Sequence, residues 1–353
     1  MASFSRLITR ALGLVGALCL LAAHTAHASV VLPPNDARVQ TPSQVSVAQQ
    51  PDGSWQYLVN GQPRVFIGMG YDPIYRYLST EGRAANYQRD FQLLHDAGVN
   101  TITGWDADKG YDQDKFDELT LSIAEQHDIG VVMPLNLPPG GDYTDPTFVQ
   151  SLLDEARSKV ERFKDYPALR MWGVGNEVFW DMNPEMWPAF EDAYRQIADL
   201  FHQLDPAHPV IYREAEMAYV PEFADMLRDG AARPWLLYGM NVYNKDPGPL
   251  LDQWASFGLD RPMLVSEFGT QGDTPELRAR GYVAMWHAIR CAPSYVLGGA
   301  PYVWTTAGPE PTDTVWGLMD ANGQPVDGTF AALTSAWRVD TPGMPSACSA
   351  AAP

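Results

Sequence analysis

The chain has 353 residues, with 43 acidic side chains against 24 basic ones and a net charge of −19 at neutral pH. That balance argues against nucleic acid or an anionic membrane surface as a partner and suits a neutral ligand. No G-x-G-x-x-G, Walker, G-x-S-x-G or H-E-x-x-H pattern occurs and the histidines are scattered, so the expectation is no cofactor, no metal and no serine-hydrolase elbow.

In chain order, Arg6 and Arg10, the apolar run Ala11 to Ala23 and Ala26-His27-Ala28 read as an export signal over residues 1–28. The run is too short to span a bilayer comfortably, so the expectation is a secreted or periplasmic chain beginning at Ser29, without a stable membrane anchor. Loss of two arginines leaves 22 basic residues (24 minus 2) against 43 acids, a net charge of −21. Only Cys291 and Cys348 then remain, and a disulfide between them and two free thiols are both open readings. The sequence says nothing of oligomeric state.

Residues 29–50 are rich in Pro, Gln, Ser and Val without a helical period, which predicts a flexible leader. Trp55 to Val59, Asn60-Gly61 and Pro63 to Phe66 predict a β-hairpin with a type I′ turn, placed to cover the bottom of a barrel. Strand-like runs and amphipathic helices then alternate. Strands are predicted at 65–70, 100–103, 129–134, 169–173, 210–213, 236–240, 263–266 and within 295–304, each followed by a helical pattern. The clearest helix follows Asn183-Pro184, where Trp187, Phe190, Tyr194, Ile197, Phe201 and Leu204 share one face. Eight β/α units predict a single (β/α)8 TIM barrel over 51–340, with a short N-terminal hairpin and a tail at 341–353. A doubly wound open sheet is the alternative, and the missing Gly-rich phosphate turn speaks against it.

Catalytic groups of such barrels sit at the C-terminal ends of strands. Glu177 follows strand four and Glu267 ends strand seven, each behind an apolar run where an unused carboxylate would be costly. A carboxylate pair flanking one glycosidic bond is the machinery of glycoside hydrolysis, and a retaining enzyme needs the two about 5–5.5 Å apart. Trp105, Trp180, Trp235 and Trp316 are candidates for stacking on sugars; Tyr71, Asp72, Asn136, Arg213 and Glu214 lie near strand ends where they can reach hydroxyls.

Gly173-Val-Gly-Asn-Glu177, Tyr238-Gly-Met-Asn241-Val-Tyr243, Ser266-Glu267-Phe-Gly269 and Trp304 together resemble the clan A retaining glycoside hydrolases. Val59-Asn-Gly61, Asp96 to Thr101, Tyr166 to Leu169 and Trp316 to Asp320 look like family 2 catalytic barrels, and Gly175 to Val178 with Asn241 to Tyr243 more weakly resemble β-1,3-glucanosyltransferases. The resemblance spans roughly residues 53 to 335. It implies Glu177 as acid/base, Glu267 as nucleophile, Asn176 on the sugar 2-hydroxyl, Tyr243 on the nucleophile and Trp304 under the sugar. Asn241 and Trp105 join the substrate-binding set. Many clan members carry arginine at the end of strand two, where this chain reads Thr101-Ile-Thr103-Gly-Trp105; Arg213, after strand five, is the candidate to supply that charge. The implied activity is cleavage of β-glycosidic bonds in an oligo- or polysaccharide by double displacement. The alternatives are glucanosyl transfer by the same pair and a binding-only pseudo-enzyme. The segment Thr305 to Thr329 is the longest insertion, expected to shape the cleft, with Asp320 to Gly323 as a turn near its rim.

Overall fold

A computed structural model describes residues 41–105, 116–215, 219–227, 233–257, 261–292 and 294–339. The export signal, most of the leader and the 341–353 tail lie outside them. Eight parallel strands close a barrel: β4 (Phe66–Gly70), β5 (Thr101–Thr103), β6 (Gly130–Leu135), β7 (Leu169–Asn176), β8 (Val210–Ala215), β9 (Leu236–Tyr243), β10 (Met263–Gly269) and β11 (Val296–Pro301). Closure joins β11 back to β4, with Gly298 opposite Phe66. Gly298 has φ of 143°, and a Cβ there would sit 2.0 Å from the Phe66 carbonyl, so only glycine lets the last strand approach the first. The open-sheet alternative is excluded.

Helices α1 (Thr80–Ala97), α2 (Glu118–Gln126), α3 (Pro146–Phe163), α5 (Trp187–Leu204), α6 (Val220–Leu227), α7 (Gly248–Gln253), α8 (Pro275–Cys291) and α10 (Thr329–Val339) lie between and after the strands, with short α4 (Val178–Asp181) and α9 (Asp313–Trp316) in the loops. Their starts are written locally. Asp117 and Thr120 form a capping box, and Asp145-Pro146 and Thr274-Pro275 place a side-chain cap before a first-turn proline. Asn183 caps a 3-10 turn at Pro184–Met186, and α5 begins only at Trp187. Cys291 is disulfide-bonded; Cys19 and Cys348 lie outside the described residues.

The leader ends earlier than its composition suggests. Val45–Gln49 forms β1, which pairs antiparallel with β2 (Trp55–Val59), itself paired with β3 (Gln62–Arg64). Asn60 and Gly61 both have positive φ, as a type I′ turn demands. Pro51-Asp52-Gly53, with Gly53 at φ of 85°, turns the chain from β1 into β2, and pairing across to β2 is what orders the five residues. Val45 and Tyr57 project into the barrel bottom against Phe66, Val132, Met171, Ile211, Leu237, Leu264 and Leu297, so the small sheet is a plug. Each such burial contributes about 1.5–3 kcal/mol. A buried polar chain fastens it: Ser43 Oγ lies 2.8 Å from His208 Nε2, His208 Nδ1 lies 2.7 Å from Asp205, and Asp205 accepts from the Trp172 indole at 2.8 Å. Ser43 donates to the Leu169 carbonyl and is sealed from solvent, so this serine-histidine-aspartate set is a fastening and not a nucleophile.

Candidate active site

The cleft opens at the C-terminal ends of the strands. It encloses about 460 Å³ and is lined by Glu177, Glu267, Asn176, Arg213, Tyr243 and Trp105 among others. Between Gly173 and Asn176 the β7–β8 register slips, and Gly175, at φ of 77°, occupies the slip. Glu177 itself sits in the left-handed region at φ of 51°, its N–H bonded to the Arg213 carbonyl at 3.0 Å. A bulge that holds left-handed Gly175, followed by left-handed Glu177, turns the end of β7 inward, which is how a strand aims a side chain that simple alternation would misplace.

Glu267 is reached by the same device. The β10–β9 register slips between Leu264 and Glu267, leaving Glu267 opposite Asn241 and Gly269 opposite Tyr243. Tyr243 therefore reaches the Glu267 carboxylate with its hydroxyl, which donates to Oε2. Asn241 is fully buried beneath and donates to Glu177 Oε1 at 2.8 Å and to Asn176 at 3.3 Å, while accepting from Ser266 at 2.8 Å. One buried asparagine thus ties the end of β7 to the floor between β9 and β10.

Glu267 is 4% exposed. Burial, and then the neighbouring Glu177 charge, push its carboxyl up to about 8, against the pull of Tyr243, Arg213 and Trp105. Burial and the Glu267 charge hold the Tyr243 hydroxyl well above its ordinary range, so it stays a proton donor. Arg213 spans the barrel interior: its Nη1 donates to Thr103 Oγ1 at 3.1 Å and to the Gly104 carbonyl at 3.0 Å, and its Nε to the Gly175 carbonyl at 3.4 Å. The guanidinium grows from strand five but ends at the mouth of strand two. Glu214, next to it, points away from the cleft; burial pushes its carboxyl up to about 7. It accepts from the Tyr212 hydroxyl at 2.6 Å and from the Phe179 N–H, in the first turn of α4, at 3.3 Å.

An aromatic wall surrounds Glu267. Tyr243 meets Trp316 at 5.0 Å and Tyr302 at 5.9 Å between ring centres, and Trp105 meets Tyr302 edge-on at 5.2 Å. Asp313, wholly buried, accepts from the Tyr302 hydroxyl at 2.7 Å and the Glu310 N–H at 3.0 Å, which fixes the insertion after β11 against the wall. Two carboxyls in one enclosed cleft, one gripped by a tyrosine and the other by an asparagine, can divide nucleophile and proton-donor duties on one substrate.

Residues 55–289 match the family model described as Glycosyl hydrolases family 2, TIM barrel domain. The chain belongs to that family. Among solved structures, the family 2 β-galacturonidase of Eisenbergiella tayi superposes with a TM-score of 0.63 at 16% identity, over 84% of this chain and 54% of that one. The β-glucuronidase of Bacteroides uniformis gives 0.61 at 16% identity, over 81% and 36%, and that of Dictyoglomus thermophilum 0.59 at 19%, over 86% and 54%. At these identities the likeness speaks for the fold, and the chain spans about half or less of those chains. No curated protein matches it.

In this family 2 barrel, Glu177, Glu267, Asn176, Tyr243, Trp105 and Arg213 come together at the cleft. Two expectations are corrected. Trp304 is 1% exposed and packs on Tyr71 and Phe330 behind the wall; Tyr302, two residues earlier, faces the cleft instead. Asn241 does not line the cleft and supports Glu177 from below. Of the other candidates, Trp316, Asp72 and Asn136 line the cleft, whereas Tyr71 is buried on Asp90 and Trp235 stacks on His202. Asp181, Glu310 and Thr312 are lining residues that the pattern did not announce. Proximity to Glu177 was a usable signal for Asp181; the insertion as a whole was expected to shape the cleft, but nothing local singled out Glu310 and Thr312 within it. The Asp320 to Gly323 turn forms as expected, with Gly323 against Arg89 of α1, away from the cleft lining.

Proposed function

We propose that this family 2 barrel is a retaining β-glycoside hydrolase acting on neutral sugars by double displacement. The observation that carries it is the pair Glu177 and Glu267 in one cleft, with Tyr243 on the Glu267 carboxylate and Asn241 on Glu177. Two interacting carboxyls resist joint ionisation, so the pair keeps a proton where an acid is needed. With that proton on Glu177, the smaller of the two causes that raise Glu267 disappears, burial remains, and Tyr243 and Arg213 favour the ionised Glu267. Its oxygen attacks the anomeric carbon as the glycosidic C–O bond breaks, and Glu177 gives its proton to the departing oxygen. Water then attacks the same carbon, Glu177 takes its proton, and the Glu267 ester is released. Asn176 lines the cleft beside Glu177, which supports its expected role on the sugar 2-hydroxyl.

The solved relatives named above are glycuronidases, which handle an anionic sugar. Here the described lining offers Asp72, Asp181 and Glu310 besides the catalytic pair, and its one cation, Arg213, is already turned onto Thr103 and Gly104. A uronate carboxylate would meet repulsion, so neutral glycosides are the favoured class. The export pattern at residues 1–28 supports a location outside the cytoplasm.

The test is a panel of nitrophenyl β-glucoside, galactoside, mannoside, xyloside and glucuronide, with product stereochemistry followed by NMR. The reading expects a neutral substrate to be hydrolysed with retention and activity lost in Glu267→Ala. Inversion, or full activity in both Glu177→Ala and Glu267→Ala, overturns it. An added saccharide acceptor distinguishes hydrolysis from glycosyl transfer.

A further inference from the structure

The exposed large hydrophobic side chains are unevenly distributed. Among the described residues they are Tyr77, Leu78, Trp180, Leu277, Val315 and Val326. Every one lies in a segment that follows a barrel strand, between β4 and the body of α1, just after β7, in the first turn of α8, or between β11 and α10. These segments rim the end of the barrel that holds the cleft.

Trp180 is the largest of them and is 57% exposed. It belongs to α4, the single turn that starts directly after Glu177, and its neighbour Asp181 lines the cleft. It is also held in place. Its ring meets Tyr219 edge-on at 5.8 Å between centres, Tyr219 meets Trp187 at 6.4 Å, and Trp187 meets the buried Phe179 at 5.5 Å. An indole more than half exposed to water and backed by a ladder of three aromatic rings keeps one orientation at little entropic cost.

Resting on the glycosidase reading, we propose that Trp180 is a platform for the leaving-group sugar, so that the substrate is a β-linked oligo- or polysaccharide and the aglycone is itself a saccharide. The placement follows from the chemistry. The acid must touch the glycosidic oxygen, so whatever departs with that oxygen projects past Glu177, and α4 is the element that leads away from Glu177. A pyranose offers an apolar face of C–H groups to an indole, while its hydroxyls remain free for Asp181 and solvent. The platform makes no contact with the sugar that becomes covalently attached, so it adds binding without changing the bond-breaking step.

The experiment compares Trp180→Ala and Trp180→Phe with the parent on β-linked gluco-, galacto-, manno- and xylo-oligosaccharides of two to six units, and on the matching glycosyl fluorides, which carry no leaving-group sugar. The expected result is a KM about tenfold higher for the oligosaccharides in Trp180→Ala, with kcat little changed, partial recovery in Trp180→Phe, and unchanged kinetics on the fluoride. Equal loss on fluoride and oligosaccharide overturns the platform in favour of a merely structural tryptophan. An unchanged KM for oligosaccharides overturns it in favour of a surface that meets something else, such as another protein domain. A parent enzyme that turns over neither substrate overturns the glycosidase reading itself.

Discussion

Replacing Glu267 by glutamine should stabilise the fold, and the gain should grow with pH. The carboxyl is 4% exposed, and its value rises from the ordinary 4.5 to about 8 through burial and the Glu177 charge. Between those two values the Glu177–Glu267 pair of the native state keeps one proton that the unfolded chain has already released. Stability therefore falls as pH rises through that window and is flat on either side of it. The cost reaches about 2 kcal/mol at pH 6 and about 4–5 kcal/mol above pH 8. Glutamine keeps an acceptor for the Tyr243 hydroxyl and removes the titrating proton. Urea unfolding of parent and Glu267→Gln at intervals from pH 4 to pH 9 measures the difference directly. The two should coincide near pH 4 and diverge upward. A difference that is constant with pH, or that shrinks as pH rises, would refute the claim that the site stores charge the fold does not want. Glu177→Gln offers a cross-check: removing the second charge should lower the Glu267 value and flatten its pH dependence.

Three further outcomes follow from named contacts. Tyr243→Phe removes the hydroxyl that favours the ionised Glu267; the acid limb of the pH–rate profile should move to higher pH and kcat should fall about 100-fold, with little change in melting temperature. Glu214→Ala removes the buried carboxylate that accepts from the Tyr212 hydroxyl and the Phe179 N–H, so it should cost about 2–3 kcal/mol in urea. It should also depress hydrolysis of poor leaving groups more than of activated ones, because Phe179 sits in the turn that aims Glu177. His208→Ala breaks the fastening between Ser43 and Asp205 at the opposite end of the barrel; about 1–3 kcal/mol of stability should go, while kcat on any substrate stays within twofold.

The positions of all eight strands and most helices were legible because each rests on local information. Helix starts are written in capping residues such as Asp117, Asp145 and Thr274, and helix faces in the 3.6-residue spacing seen from Trp187 to Leu204. The plug strand at Val45–Gln49 went unread although Pro51-Asp52-Gly53 marks the turn into β2; what no local window holds is its docking on side chains of barrel strands far along the chain. The same contrast runs through the site. Glu177 and Glu267 announce themselves because a carboxylate at the end of a buried run needs a reason to be there. Which aromatic of Tyr302 and Trp304 would face the cleft depended on the register in which β11 closes against β10 and β4. A sequence window that contains the strand does not contain that register.

Sequence by itself determined the number of β/α units, the family-like carboxylate pair and the turn residues, since these are short-range choices of propensity, cap and spacing. Tertiary structure alone decided direction. Slips in the β7–β8 and β9–β10 registers aim Glu177 and Glu267 inward, Arg213 carries its charge from strand five to the mouth of strand two, and Asn241 is sealed under the site it was expected to line. A strand's side chains alternate every residue, so one bulge reassigns every side chain after it, and bulges are set by the neighbouring strand.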